Sequence, residues 1–504
     1  MPRHSSLILL FSLLMFSTLL RLVYVLYSNM PLSNDVWPLI EITSLLRRNN
    51  DIKFFDLFEL YGHHVKWPFS MIYSLVFSIT TDIPVLDLYK YLSGFINGLS
   101  IALLTYVLGL RIFQNKSSAY VFALSFSMFP SYVLFTSQFL KETYALIIML
   151  LILFLFQLRR NGLQGVLLLT MCVVSLLLGH VITLVILSAS LILSPIIKRF
   201  TRIWSYISIT QSSFVFEFLY GVCLFIVGSI YNFFILKTRY FAISLVDICV
   251  FGFYILGILS LIIALSGGWL FITLLIISTV PFVSVLMLFT GVFDLLILLF
   301  IIPFPLVFFM GLRSKSSEDW PLFVFVKGLL LMILTLALYF STYLTIGLSI
   351  LHRFLNYLVY PFAFYLVKVF SRRYGILLVI LLLTMAIISS LLVVMYADPL
   401  LFYWKYNIAD EVSRNLVKSY ADGVVIYGDV KYSYMDSSVF STISPSSFVN
   451  TCKWLNNGNL LIFSRDNLKY GFPLSPIDYL KPNTNIFKCS SLLLNTGSVF
   501  LSGY

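Results

Sequence analysis

Apolar stretches of roughly 17 to 25 residues follow one another along most of the chain up to residue 396. A helix rises about 1.5 Å per residue, so segments of this length can cross the hydrocarbon core of a bilayer. The predicted spans are 7–28, 84–110, 117–138, 140–158, 214–236, 241–265, 269–290, 291–312, 322–341, 354–370 and 374–396. A further apolar stretch, 162–197, is compatible with one long helix or with two short spans that meet at Gly179-His180.

Positive charges distinguish the two interpretations of 162–197. One span would put Arg159/Arg160 and Lys198/Arg199 on opposite faces of the membrane, whereas two spans put both pairs in the cytoplasm when the N-terminus is cytoplasmic. Short cytoplasmic loops carry an excess of Lys and Arg. We therefore predict thirteen spans and an external C-terminus.

Composition agrees with a multi-pass protein of the cell membrane. Of the 504 residues 60% are hydrophobic and only 11% are charged, and the mean hydropathy is +0.98. The net charge is +12, but residues 399–504 hold nine Lys/Arg and seven Asp/Glu, so most of the excess lies in the membrane part. Basic cytoplasmic loops account for it, and a nucleic-acid partner is not predicted.

Hydrophobic patterning changes after residue 398, which divides the chain into a membrane domain, 1–398, and a tail, 399–504. Alternating helical and strand patterns predict a small extracytoplasmic α/β domain in the tail. Its predicted elements are helices near 407–420 and 446–455 and strands near 423–427 and 459–463.

Within the first outer loop, 29–83, the apolar stretch 68–83 is predicted to be interfacial or re-entrant.

Cysteines indicate no metal centre. Cys172, Cys223 and Cys249 lie in apolar runs, where cysteine behaves as a small hydrophobic residue. Cys452 and Cys489 both lie in the tail, where an external location would permit a disulfide.

In this topology the unusual polar residues of the membrane part gather on the outer side. Asp35 opens the first outer loop and Glu142 lies just inside a span, where an ionised carboxylate is costly. The plainer interpretations are a solvated loop carboxylate and a charge favoured by a helix N-terminus. His180 could be an interfacial turn residue or a ligand of a donor phosphate. Arg353 could extend to the interface or bind a phosphate through its guanidinium fork.

Taken together, two carboxylates with an Arg and a His on one face describe a site for an anionic substrate held in the membrane. The carboxylates would activate an acceptor hydroxyl or hold a divalent cation, Mg or Mn.

Arg21, about two-thirds of the way along the first span, either reaches the interface or faces a polar interior. No phosphate-binding loop, dinucleotide fingerprint, HExxH or GxSxG motif is present in the sequence.

Four segments resemble the GT-C superfamily of integral-membrane glycosyltransferases, which includes oligosaccharyltransferases and protein O-mannosyltransferases. They are the acidic first loop with Asp35, the stretch Tyr61-Gly62-His63-His64-Val65-Lys66-Trp67-Pro68, the stretch from Phe129 through Lys141-Glu142, and the stretch from Arg353 to Pro361. In layout the resemblance covers about residues 7–396.

The resemblance implies an inverting transfer of a sugar from a polyprenyl-phosphate carrier to a lipid, glycan or protein acceptor outside the cytoplasm. By position, Asp35 and Glu142 would be the catalytic or metal-organising carboxylates, and Arg353 would meet the donor phosphate. His64, Lys141 and His180 are the further substrate-binding candidates. The tail lacks the Trp-Trp-Asp-Tyr-Gly acceptor motif of oligosaccharyltransferases, so asparagine-linked transfer is not predicted.

Two other functions handle the same lipid-linked sugars. A carrier or flippase would be expected to show inverted repeats and polar residues at the membrane midplane, whereas the polar residues here gather at one face. A surface-polysaccharide polymerase shares the donor chemistry and differs in its acceptor, which the sequence does not distinguish. If the chain were an inactive membrane scaffold, the acidic residues would have no functional role.

Overall fold

The structure is a computed structural model. It describes residues 3–48, 65, 68–138, 140–158, 163–204, 212–231, 254–255, 326, 329–330, 332–333, 335–336, 356–370, 376–377, 379–380, 383–384, 387–388, 406, 408–420, 426–428, 430–436, 440–442, 460–464, 472–475, 478–480, 491–495 and 499–503.

Helices make up the described part of the membrane domain. In chain order they are α1 Arg3–Ser28, α2 Val36–Arg48, α3 Phe69–Thr81, α4 Val85–Phe113, α5 Lys116–Met128, α6 Pro130–Thr136, α7 Lys141–Leu158, α8 Leu163–Gly179, α9 Val181–Trp204, α10 Ser212–Ile230 and α11 Val359–Phe370. Among the described residues, three helices are long and apolar enough to cross a membrane: Leu7–Ser28 within α1, α4 and α7. The predicted total of thirteen spans extends well beyond the described residues and stays a prediction.

The predicted span 117–138 is not one continuous helix, because the structure divides it into α5 and α6. Phe129 has an extended backbone, with φ −66° and ψ 114°, and ends α5. The residue before a proline is disfavoured in helical conformation, while proline itself suits the first turn of a helix. Pro130 therefore stops one helix and starts the next.

The structure also shows which helices two further stretches form, whose conformation the sequence left open. The stretch 162–197 forms α8 and α9, which meet at His180 as the sequence predicts. The stretch 68–83 contains α3, whose 13 residues extend only about 20 Å, too short to cross the bilayer core.

Close packing of α1 on α4 forms one side of the core. A Cβ atom at Gly98 would lie only 2.6 Å from Thr18 Cα, so this contact requires glycine. Aromatic rings join α11 to α5, with centroid distances of 5.2 Å for Phe122–Phe364 and 5.0 Å for Phe126–Tyr360. Edge-to-face ring pairs of this kind stabilise packing beyond the area they bury.

The described part of the tail contains helices α12 Ile408–Tyr420 and α13 Val430–Met435, a mixed five-stranded sheet and a separate antiparallel sheet of the fourth and fifth strands. The strands are β1 Ile426–Gly428, β2 Phe440–Thr442, β3 Leu460–Ser464, β4 Phe472–Ser475, β5 Asp478–Leu480, β6 Ser491–Asn495 and β7 Val499–Gly503. The five-stranded sheet has the order β2-β1-β3-β7-β6; β1 is parallel to β2 and β3, whereas β7 is antiparallel to β3 and β6. The strands expected near 423–427 and 459–463 are β1 and β3. The expected helix 446–455 and both tail cysteines lie outside the described residues.

Tyr406 joins the tail to the first helix and the first outer loop. The Tyr24 hydroxyl donates to the Tyr406 backbone oxygen and accepts from its N–H, both at 3.0 Å. The Tyr406 hydroxyl contacts Asn34 Oδ1 and, at 3.0 Å, the backbone oxygen of Lys431. Its ring lies 5.2 Å from that of Trp37. Tyr406 and its partners therefore form a tail joint that fixes the first outer loop against the tail.

Replacing Tyr24 with Phe tests the tail joint. The variant leaves the buried N–H and C=O of Tyr406 without the Tyr24 hydroxyl, and unpaired buried groups cost about 1–3 kcal/mol. We expect thermal unfolding in detergent to show a corresponding loss of stability. Tyr27→Phe is the matched control, because Tyr27 is 71% exposed on the same helix. Equal midpoints for both variants would show that the joint adds no stability.

Candidate functional site

The structure describes four of the six predicted site residues. Glu142 and His180 are buried, whereas Asp35 and Lys141 are half-buried. Glu142 and Lys141 occupy the first turn of α7, and Asp35 directly precedes α2. His64 and Arg353 lie outside the described residues, so their placement stays a prediction.

Glu142 is a buried carboxylate that receives a hydrogen bond from a neutral amide. It is only 5% exposed, and Asn356 Nδ2 donates to its Oε1 at 3.2 Å. The first turn of a helix also favours a negative charge, because the helix dipole is positive at this end. A carboxylate buried at this depth is costly, so it marks a candidate functional residue.

His180 belongs to a second group of buried hydrogen bonds at the same end of the bundle. Its Nδ1 lies 3.0 Å from Thr183 Oγ1, which in turn lies 2.6 Å from the Tyr357 hydroxyl. A Cβ atom at Gly179 would lie 3.9 Å from Ala145 Cβ, one turn beyond Glu142. The end of α8 therefore lies beside the beginning of α7.

A single turn before α11 connects the two groups. Asn356 contacts Glu142 and the next residue, Tyr357, contacts Thr183, and both side chains are fully buried. The turn 356–358 thus brings the predicted residues Glu142 and His180 into one assembly. It begins three residues after Arg353, so the segment that the sequence singled out does reach the site.

Sequence reasoning missed Asn356, Tyr357 and Thr183. Asn356 and Tyr357 belong to the stretch from which only Arg353 was selected, and Thr183 lies one helical turn after His180. Their signal was polar character within or directly beside apolar helices, where side-chain hydrogen bonds between helices are expected.

The segment that leads into Glu142 is held by hydrogen bonds from three directions. Thr143 Oγ1 donates to the backbone oxygens of Phe135 and Gln138, at 3.0 and 2.9 Å. Asn97 Nδ2 of α4 donates to the Thr136 oxygen at 3.0 Å. The third direction is α1, through Arg21.

Arg21 is fully buried and faces a polar interior, which is the second of the two predicted alternatives. Its Nε donates to Thr136 Oγ1 at 2.8 Å, and its Nη1 donates to the backbone and hydroxyl oxygens of Ser17 at 3.0 and 2.8 Å. Its Nη2 donates to the Phe126 oxygen at 3.3 Å. One guanidinium thereby joins α1, α5 and α6, just before the segment that carries Glu142.

The start of α2, directly after Asp35, shares an apolar cluster with residues on both sides of Glu142. Val36 and Trp37 belong to the same buried apolar cluster as Leu140 and Tyr144. Tyr73 of α3 extends this contact, with its ring 5.3 Å from that of Tyr144. Burial raises the pKa of the Tyr73 phenol, so it remains a neutral group at pH 7.

Within the described ranges, no group of three His, Cys, Asp or Glu side chains is arranged to hold a metal ion. The described residues around Asp35 and Glu142 therefore do not by themselves fit a divalent cation. Metal binding by the two carboxylates stays a prediction.

Thr183→Val tests the hydrogen bonds that join His180 to Tyr357. Valine keeps the shape of threonine but removes the shared hydroxyl, so we expect a loss of about 1–3 kcal/mol in the free energy of unfolding. Thermal unfolding in detergent measures it. Thr170→Val is the control, because the Thr170 hydroxyl is exposed and donates to Val166 O of its own helix. An unchanged midpoint for Thr183→Val would contradict the assembly.

No family model matches the chain, and no curated protein matches it. Solved structures do match. ArnT from Cupriavidus metallidurans, bound to undecaprenyl phosphate, is 10% identical over 99% of this chain and 98% of that chain, with a TM-score of 0.39. An Archaeoglobus fulgidus oligosaccharyltransferase tethered to an acceptor peptide is 14% identical over 96% of this chain and 61% of that chain, with a TM-score of 0.34. Both are of the kind that the sequence resembles, but at TM-scores this low neither likeness carries an argument about this chain's fold or activity.

Proposed function

We propose that the chain is a membrane glycosyltransferase that moves a sugar from a polyprenyl-phosphate carrier to an acceptor on the outer face of the membrane. The single observation that carries the proposal is the buried Glu142, joined through Asn356 and Tyr357 to Thr183 and His180. A carboxylate costs too much in this environment to be kept without a role. The sequence resemblance supplies the reaction class.

The reaction needs a base and a way to stabilise the leaving phosphate. The acceptor hydroxyl attacks the anomeric carbon, the bond from that carbon to the phosphate oxygen breaks, and the bonding electrons leave with the polyprenyl phosphate. The hydroxyl proton passes to Glu142 or Asp35. Attack opposite the leaving group inverts the configuration of the sugar.

Hydrogen bonding fits Glu142 for the role of base. Asn356 Nδ2 donates to one carboxylate oxygen and so holds the side chain in one orientation. Its place in the first turn of α7 puts the carboxylate at the positive end of the helix dipole. Asp35 is the second candidate, because the residues that follow it belong to the same apolar cluster as the neighbours of Glu142. It is the more accessible of the two to an acceptor that arrives from outside.

Cationic and polar groups would receive the donor phosphate. Lys141 lies next to Glu142 at the start of α7, and His180 lies in the same assembly. In the proposal, Arg353 and His64 complete the phosphate site, because a guanidinium fork and an imidazole both donate hydrogen bonds to phosphate oxygens. Charge stabilisation of this kind commonly contributes more than any other single effect in such reactions.

Sugar transfer in membranes tests the proposal. Membranes that contain the protein are incubated with a radiolabelled polyprenyl-phosphate sugar, and the label transferred to lipid, glycan or protein is counted. We expect Glu142→Gln and Asp35→Asn each to slow transfer by about 100-fold or more, because loss of a general base typically costs that much.

Asp82→Asn is the matched control for these variants. Asp82 also belongs to the first outer loop, but its side chain is 92% exposed in an ion pair with Arg47, so its removal should leave transfer near the wild-type rate. Wild-type transfer by both site variants would refute the site. If the wild type transfers no sugar but moves the labelled lipid across vesicles, the chain is a carrier.

A further inference from the structure

A cavity of about 210 Å³ lies between α1, α4, α5 and α11. Its walls are mainly apolar and include Tyr106, Tyr120, Leu124 and Phe370. Lys116 and Ser117, the first two residues of α5, line one end. The residues from Lys116 to Leu124 extend the cavity over about 12 Å of helix.

This cavity is separate from the candidate site. Arg111 Nε, near the end of α4, donates to the Gln157 oxygen at the end of α7 at 3.4 Å. Lys116 therefore lies near the C-terminal end of α7, whereas Glu142 lies in its first turn. The length of α7, 18 residues or about 27 Å, separates the two regions.

The surroundings of the cavity determine what can enter it. Leu9 of α1 lines the cavity, and its neighbours Leu7, Ile8 and Phe11 are all about two-thirds exposed on the same helix. An exposed apolar surface on a helix long enough to span a membrane faces lipid chains. The mainly apolar walls of the cavity favour apolar molecules over water. A lipid chain is therefore the natural occupant.

The polar end of the cavity adds a charge preference. Lys116 is exposed at the beginning of α5, and Arg111 is exposed near the end of the preceding helix. Asn115 Oδ1 already accepts from the N–H groups of Ser117 and Ser118, so an anion here would be held by side chains. Lys and Arg at a membrane interface attract anionic lipids.

We propose that this cavity binds one chain of an anionic diacyl phospholipid, with the phosphate beside Lys116 and Ser117. The chain lies along Tyr120 and Leu124, and the headgroup lies at the interface beside Arg111. The site would stabilise the bundle at the end opposite Glu142 and make its stability depend on the membrane's anionic lipid.

Thermal unfolding with defined lipids tests this site. Lipid-depleted protein in detergent is heated with phosphatidylglycerol or with phosphatidylcholine that carries the same chains. At a lipid concentration of about 100 times Kd, we expect phosphatidylglycerol to raise the midpoint by about 2 to 3 °C and phosphatidylcholine to raise it much less. Leu124→Trp, which fills the cavity, should abolish the rise.

Two further variants make the outcome decisive. Leu167→Trp, at a position 54% exposed on α8, should keep the full rise. Lys116→Glu reverses a charge at an exposed position, so it should fold even if Leu124→Trp does not, and it should lose the preference for phosphatidylglycerol. Equal rises with both lipids, or a full rise in both Leu124→Trp and Lys116→Glu, would overturn the proposal. A rise produced by polyprenyl phosphate and not by phospholipid would also overturn it.

Discussion

A guanidinium in the middle of an apolar bundle must be surrounded by acceptors, and Arg21 is the position at which this constraint acts. All four of its hydrogen bonds go to neutral oxygens, contributed by Ser17, Thr136 and Phe126. A charge buried without such partners costs several kcal/mol, so α1, α5 and α6 are required to meet there. The segment that leads to Glu142 starts at this meeting point, and the position of the carboxylate depends on it.

The candidate site is assembled in the same way, by buried polar side chains that form hydrogen bonds with one another. The turn at Asn356 and Tyr357 contacts the beginnings of two helices. The Asn356 amide hydrogen-bonds to Glu142, and the Tyr357 hydroxyl hydrogen-bonds to Thr183. At the outer loop, Tyr406 plays a comparable part by joining α1, Asn34 and α13. Few contacts thus determine how the first outer loop, α7 and α11 are arranged around the carboxylates.

Much of this could be predicted from the sequence, for physical reasons that also explain what was missed. Hydropathy identifies α1, α7 and the break at His180, because long apolar stretches and a polar interruption are local signals. The division at Pro130 is local too, but a hydropathy average conceals it. The bond between Glu142 and Asn356 joins residues 214 positions apart, and no local pattern specifies such a partner. His64 and Arg353, which lie outside the described residues, remain predictions.

The most direct test of the central claim is a double-mutant cycle on sugar transfer with Glu142→Gln, Asn356→Ala and the double variant. If Asn356 acts by holding Glu142 as the base, Asn356→Ala slows transfer on its own. The double variant is then no slower than Glu142→Gln alone, because groups that act as one unit are not additive. Losses that multiply in the double variant, or wild-type transfer by Asn356→Ala, would contradict the claim.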